Sequence, residues 1–222
     1  MSAVRPDWAR LFRIACSLIR QVNSEQLTID SWSFGGGTAM MLQIDHRESH
    51  DVDIFLPDAQ LLPFLDPKLH DFEFEIRPSD YGGDGTGFLK LAFEGLGEID
   101  FIVAHAATDI PTTRQTIEGE EVDLETVAEI IAKKIHYRGA TIKPRDIFDI
   151  AAAARHDRDS IMSALKYHKD DVAKTLSAIE RLKPDFVNAG MVTTKQPTLR
   201  IQKWPGVTFS SSVIRPFYRL IN

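Results

Sequence analysis

Cysteine is nearly absent from this 222-residue chain. Cys16 stands alone, so no intrachain disulfide can form, and its setting in an amphipathic segment suits a buried structural thiol rather than a reactive one. Long apolar runs are missing as well. None approaches the roughly 20 residues that a membrane-spanning helix needs. The opening stretch MSAVRPDWARLFRIACSLIRQV breaks its apolar residues with Arg5, Arg10, Arg13 and Arg20, unlike the uninterrupted apolar region of a secretory signal. These absences suit a cytoplasmic protein with no membrane contact. His46 and His50 are four residues apart, but with His105 and His136 they make no Cys/His ligand pattern beside the lone cysteine, so a zinc centre is not expected. There is no P-loop and no G-x-S-x-G, so neither P-loop phosphate binding nor a serine hydrolase elbow is indicated. Internal repeats and low-complexity tracts are also lacking.

Positive charge is short overall, and the net charge of −6 argues against a general nucleic-acid binder. The distribution is uneven, however. From Lys183 onward, Lys183, Lys195, Arg200, Lys203, Arg215 and Arg219 face the single acid Asp185, leaving +5 in the tail and −11 in the remainder. Phe186, Trp204, Phe209, Phe217 and Tyr218 are interleaved with these cations, a combination that tilts toward RNA through phosphate neutralisation and base stacking, although such segments also serve protein interfaces.

The pattern along the chain predicts an α/β (α+β) fold with a C-terminal helical lobe. After an N-terminal helix, Ser31 to Phe34 reads as a short strand entering Gly35-Gly36-Gly37, and a helix follows from Thr38. Val52 to Leu56 is a second strand ended by Pro57, with a helix expected to about Leu69. Phe72 to Ser79 and Phe88 to Glu94 alternate with period two and predict a hairpin, the glycine-rich Tyr81 to Gly87 being its connection rather than a phosphate loop. Glu98 to His105 is a further strand. From Val122 the period becomes helical, Pro144 can open a second helix, and Asp159 to Tyr167 and Asp170 to Leu182 are two more. The predicted organisation is a sheet lobe with the N-terminal helix over residues 1–121, a helical lobe over 122–182 and a basic extension over 183–222.

The run FGGGTAMMLQIDHRESHDVDIFL, Phe34 to Leu56, carries the chemistry. Residues i and i+2 of a strand share a face, so Asp51 and Asp53 stand side by side while Val52 and Ile54 face the core. Hard cations such as Mg²⁺ take carboxylate oxygens and bridge them to phosphates, and glycines opening a helix offer backbone N–H groups to anions. Ser49 falls on the same alternation as the aspartates.

GGGTA upstream of DVDIF, followed by the acidic strand EIDFI, resembles the polymerase-β-type nucleotidyltransferase superfamily, whose fold is a mixed sheet. The resemblance implies metal binding by Asp51 and Asp53 and either metal binding or base catalysis by Asp100, with Glu98 on the face of Asp100 as the other acid that can reach the site. A finer resemblance is to the AbiE-type nucleotidyltransferase toxins of bacterial toxin–antitoxin systems. Its motifs stand here as Gly36-Gly37-Thr38-Ala39, His46 to Phe55, Ala132-Lys133-Lys134-Ile135 and Arg145-Asp146-Ile147-Phe148-Asp149. It spans Phe34 to about Ala154 and includes neither the N-terminal helix nor the tail.

That resemblance implies transfer of a nucleotide from a nucleoside triphosphate (NTP), with Mg²⁺ (or Mn²⁺) at the aspartates. Phosphate contacts would come from Gly36, Gly37, Thr38, Arg47, Ser49 and a lysine, and a functional role falls on Asp146. The doubled lysine leaves Lys133 and Lys134 both open, although Lys134 before Ile135 aligns with the family's lysine–apolar step. The implied acceptor is RNA, notably a tRNA 3′ end, or a protein hydroxyl, and an antitoxin is the implied partner. A small-molecule acceptor of aminoglycoside kind and a noncatalytic binding module that has kept the fold are the alternatives.

Overall fold

A computed structural model describes residues 8–182, which divide into two compact units. The first holds the chain through Leu42, Ser49–His105 and Thr112–Glu125. The second holds Gln43–Glu48, Ala106–Pro111 and the chain from Thr126. The basic aromatic tail from Lys183, including Lys195, Arg200 and Lys203, lies outside the described residues.

The first unit is a seven-stranded mixed sheet in the order β3-β4-β5-β2-β1-β7-β6. Its strands are β1 (Ser33–Gly35), β2 (Val52–Leu56), β3 (Asp80–Gly83), β4 (Phe88–Phe93), β5 (Gly97–Val103), β6 (Thr112–Ile117) and β7 (Glu120–Glu125). β2 runs parallel to β5 and antiparallel to β1, which in turn runs parallel to β7. Alternation sorts the side chains by face. Phe34, Ile54, Phe101 and Leu89 are register partners in four adjacent strands, and all are buried. Helix α1 (Trp8–Val22) covers this apolar face with Leu11, Phe12, Ile14, Ala15, Leu18 and Ile19, and the Phe12 and Phe34 rings meet at 4.9 Å. Each such side chain taken out of water contributes roughly 1.5–3 kcal/mol before entropy is counted. Cys16 lies on the same buried stripe, and burial, followed by the negative charge of Glu120, pushes its thiol up to about 12. It is a structural thiol.

Three expectations are corrected. Phe72 to Ser79 is not a strand. The side-chain amide of Gln21 takes both backbone groups of Glu73, at 2.9 Å each, and Pro78 has no N–H to give a ladder, so alternation alone could not make one. The strand that pairs with β4 is Asp80–Gly83, inside the supposed connection, and the hairpin turn is the shorter stretch around Asp84, whose carboxylate accepts three backbone N–H groups. Second, the helix expected to about Leu69 is a 3-10 turn (Ala59–Leu61) and a single turn α3 (Leu62–Leu65). It stops where Asp66, extended before Pro67, leaves the helical region.

Third, Val122 to Glu125 is strand rather than helix. β6 and β7 form a hairpin through Glu118 and Gly119, both at positive φ (51° and 85°), as a two-residue turn between twisted strands requires. β6 has no buried residue, so its sequence, TTRQTI, lacks the apolar alternation that marks a half-buried strand.

The second unit is helical: α4 (Val127–Arg138), a 3-10 turn (Gly139–Thr141), α5 (Pro144–His156), α6 (Arg158–Leu165) and α7 (Lys169–Arg181). Thr126 caps α4 by accepting the Glu129 N–H at 3.2 Å, and Pro144 opens α5 where a missing N–H costs nothing. Gly139 lets the end of α4 approach α7 closely, since a Cβ there would lie 2.2 Å from Thr175 Oγ1.

Candidate functional site

On the sheet face opposite α1 the residues are acidic. Asp53 on β2 pairs directly with Asp100 on β5, and Asp100 pairs in turn with Lys90 on β4. Val52, Ile54 and Leu56 are fully buried while Asp53 and Phe55 are partly open, so the expected alternation holds along β2. Asp51 immediately precedes the strand, and its Oδ1 accepts the Glu98 backbone N–H at 3.1 Å, which docks it on the end of β5. Ser49 lies two residues further out, beyond the strand, so alternation does not fix its direction. Its backbone N–H meets Met41 Sδ at 3.2 Å.

The turn into α2 (Gly36–Ile44) explains its own sequence. Gly36 sits at φ +69°, and a Cβ on it would lie 1.8 Å from Asp53 Oδ2, so only glycine lets the Asp53 carboxylate come so close to the start of the helix. Gly37 follows in the first turn, where backbone N–H groups have no partner within the helix. Thr38 is fully buried, and its hydroxyl donates to the Asp51 carbonyl, tying the helix start to the entry of the aspartate strand rather than standing open to a phosphate. Gly35 serves a similar purpose on β1. A side chain there would collide with Glu125, a buried carboxylate at the end of β7 that accepts the Ser33 hydroxyl at 2.9 Å.

Lys90 and Glu125 are the site neighbours that sequence reading passed over. Lys90 Nζ lies 3.2 Å from Asp100 Oδ2 and also bonds Glu98, so Glu98 does share the face of Asp100, and both are held by one ammonium. Burial raises the Asp100 pKa above its ordinary value, Lys90 pulls it back, and Glu98 and Asp51 add to the rise. FLKLAFE carried the signal, because Lys90 is the cation on the polar side of that alternation.

In the second unit two motifs of the sequence meet. The Arg47 guanidinium forks onto the fully buried Asp149, with Nε 2.7 Å from Oδ1 and Nη2 3.0 Å from Oδ2. His46 Nε2 lies 3.0 Å from Oδ1, and Lys134 Nζ lies 3.1 Å from Oδ2 and 2.9 Å from Asp146 Oδ1. Because a carboxylate only accepts, His46 carries its proton on Nε2 unless fully protonated, and its buried Nδ1 has no hydrogen-bond partner. Burial alone would raise the Asp149 pKa. The hydrogen bond from His46, the charge of Lys134 and the bond from Arg47 outweigh it and hold the carboxyl well below the usual range.

Asp146 also caps α5 by accepting the Lys143 N–H at 3.2 Å. Lys133 takes the other side of α4. Its Nζ lies 3.4 Å from Glu129, a buried carboxylate that also accepts the Ala107 N–H and the Thr108 hydroxyl. The doubled lysine is thus divided between two carboxylate clusters, and Arg47 holds a carboxylate in this structure.

A family model described as the nucleotidyl transferase AbiEii toxin of a type IV toxin–antitoxin system matches residues 17–198. The chain belongs to this AbiEii family. It is therefore a nucleotidyl-transfer enzyme of toxin type, and membership implies an NTP substrate and an antitoxin partner. No curated protein matches by sequence. Among solved structures, JHP933 from Helicobacter pylori is similar at 17% identity and a TM-score of 0.45, covering 99% of this chain and 90% of that one. The nucleotidyltransferase toxin MenT4 from Mycobacterium tuberculosis is similar at 19% identity and a TM-score of 0.46, covering 80% and 69%. An antibiotic-resistance factor, ANT(2'')-Ia, is similar at 14% identity and a TM-score of 0.48, covering 79% and 97%. No helix among the described residues of this AbiEii chain is long and apolar enough to cross a membrane.

Proposed function

We propose that the chain transfers a nucleotide from an NTP to an RNA acceptor in the cytoplasm, with Asp51, Asp53 and Asp100 as the residues that hold Mg²⁺ or Mn²⁺. The observation that carries this reading is the direct pairing of Asp53 with Asp100 on the polar sheet face, beside a glycine whose missing side chain gives Asp53 its room. Carboxylate oxygens are the donors that a hard dication takes. Such a cation, when bound, neutralises the oxygens of an in-line displacement at phosphorus.

The chain's own groups do the rest. The Thr38 bond to the Asp51 carbonyl and the Glu98 N–H bond to the Asp51 carboxylate orient Asp51, and the N–H groups of Gly36 and Gly37 are available for phosphate oxygens. Lys90 keeps Asp100 and Glu98 compensated until substrate and cation arrive. Lys134, Asp146 and Arg47 are assigned to NTP binding by the family resemblance, with Ser49 as a further contact, while Lys133 serves Glu129 on the other side of α4. The tail, with +5 charge and five aromatic residues, supports RNA over a protein acceptor.

Incubation of full-length protein with each labelled NTP, Mg²⁺ and total RNA tests the proposal. Label should enter RNA with wild type and should not with Asp53→Asn, whose circular dichroism should match wild type. Unchanged turnover by Asp53→Asn sinks the assignment. Label entering protein alone moves the acceptor to a protein hydroxyl.

A further inference from the structure

In the second unit, immediately after the lysine motif, His136 in the last turn of α4 meets His168 and Asp171 at the start of α7. We propose that these three side chains form a binding site for one transition-metal dication of the zinc class, which clips α4 to α7. One donor atom from each lies within 4.8 Å of the other two. His136 Nδ1 is 2.7 Å and His168 Nδ1 is 4.0 Å from Asp171 Oδ2, which brackets the roughly 3.3 Å between neighbouring ligands on one tetrahedral ion.

The surroundings prepare His168 for that role. Its Nε2 lies 2.8 Å from the Ala107 carbonyl oxygen, which can only accept, so Nε2 bears the proton and Nδ1 presents a lone pair toward Asp171. A ligating histidine in metal sites has this outer bond to a carbonyl or carboxylate, which fixes both tautomer and ring orientation. Asp171 is equally prepared. Its second oxygen accepts Lys174 Nζ at 3.0 Å, leaving Oδ2 directed at the two rings.

The backbone around the cluster is drawn close together. Gly139 permits the close approach of the α4 end to Thr175, and the Thr175 hydroxyl donates to the Asp171 carbonyl at 2.7 Å. His136 is about half exposed, which gives an ion a way in. Two imidazoles and one carboxylate, with water completing the shell, suit Zn²⁺, Co²⁺ or Ni²⁺ better than Mg²⁺, which prefers oxygen alone. The sequence hid the site because its ligands come from two helices, with no short-spaced pair of histidines.

Co²⁺ titration of full-length protein carrying Asp51→Asn and Asp53→Asn, so that the sheet carboxylates do not compete, tests the site. One equivalent of Co²⁺ should produce a saturable visible ligand-field band that Zn²⁺ abolishes, and Zn²⁺ should raise the melting temperature. His136→Ala, the most exposed of the three and so the least disruptive, should weaken Co²⁺ binding at least tenfold and remove the Zn²⁺ effect on melting. His168→Gln should do the same. A missing band, or a band that His136→Ala leaves unchanged, overturns the proposal in favour of a plain His–Asp hydrogen bond. Neither readout depends on nucleotide transfer.

Discussion

Replacing Asp149 by Asn takes one negative charge from a fully buried position where His46, the Arg47 fork and Lys134 all converge at 2.7–3.1 Å. Removing one partner from a buried ion pair costs about 3–5 kcal/mol because the opposite charge is left buried, although here Lys134 keeps Asp146 at 2.9 Å. Asn keeps an acceptor oxygen for Arg47, so the lower end of that range is expected. For a chain of this length, where each kcal/mol moves the melting temperature by about 2–4 °C, a drop on the order of 10 °C follows.

The pH dependence adds a sharper signature. The Asp149 pKa is depressed in the folded protein, so its contribution is complete above the unfolded value of about 4 and is lost as pH falls toward the folded one. Other carboxylates titrate in both proteins and cancel in the difference. The part of the stability gap between wild type and Asp149→Asn that the Asp149 carboxylate carries should therefore narrow by up to about 1.4 kcal/mol per pH unit below about 4. Urea titrations at several pH values measure it. A gap under about 1 kcal/mol at pH 7, or one that stays constant down to pH 3, refutes the view that Asp149 anchors this network.

Gly36→Ala combines a left-handed backbone, roughly 1–2 kcal/mol for a non-glycine residue, with a methyl group 1.8 Å from the Asp53 carboxylate. Transfer should fall to the level of Asp53→Asn, and wild-type turnover in a labelled-NTP assay would show that Asp53 need not stand there. Neutralising Lys195, Arg200 and Lys203 together should weaken labelled tRNA binding and flatten its salt dependence, because each released phosphate contact contributes to the slope. NTP affinity should barely change. Equal affinity and slope across a salt series would exclude the tail as the RNA site and turn attention to a protein interface.

The aspartate strand and its glycine turn were legible because both follow local rules. Period two sorts Val52, Ile54 and Leu56 from Asp53 and Phe55, and a helix starting in glycine needs no long-range information. Pro144 marked the start of α5, where the helix begins, whereas the start of α4 was misread by several residues because the strand just before it borrows the same apolar letters. What sequence could not reveal depended on partners distant in the chain. Phe72 to Ser79 alternates like a strand, yet its backbone is satisfied by Gln21. Arg47 reads as a phosphate clamp until Asp149 is known to lie within 2.7 Å. Lys90 looks like a solvated strand residue until register sets it opposite Asp100.

Strand β1, only three residues long, joins β2 on one side to β7 on the other, and the chain must run through Glu120–Glu125 before that second neighbour exists. The hairpins β3-β4-β5 and β6-β7 close locally and quickly, whereas the parallel β2-β5 and β1-β7 pairings bridge long stretches and come late. Synthesis adds about 5–20 residues per second. For seconds, then, a growing chain carries Asp51 and Asp53 without the sheet that aligns them. Asp53 gains its register partner Asp100 only once β5 has been made, and β1 gains its second neighbour only with β7.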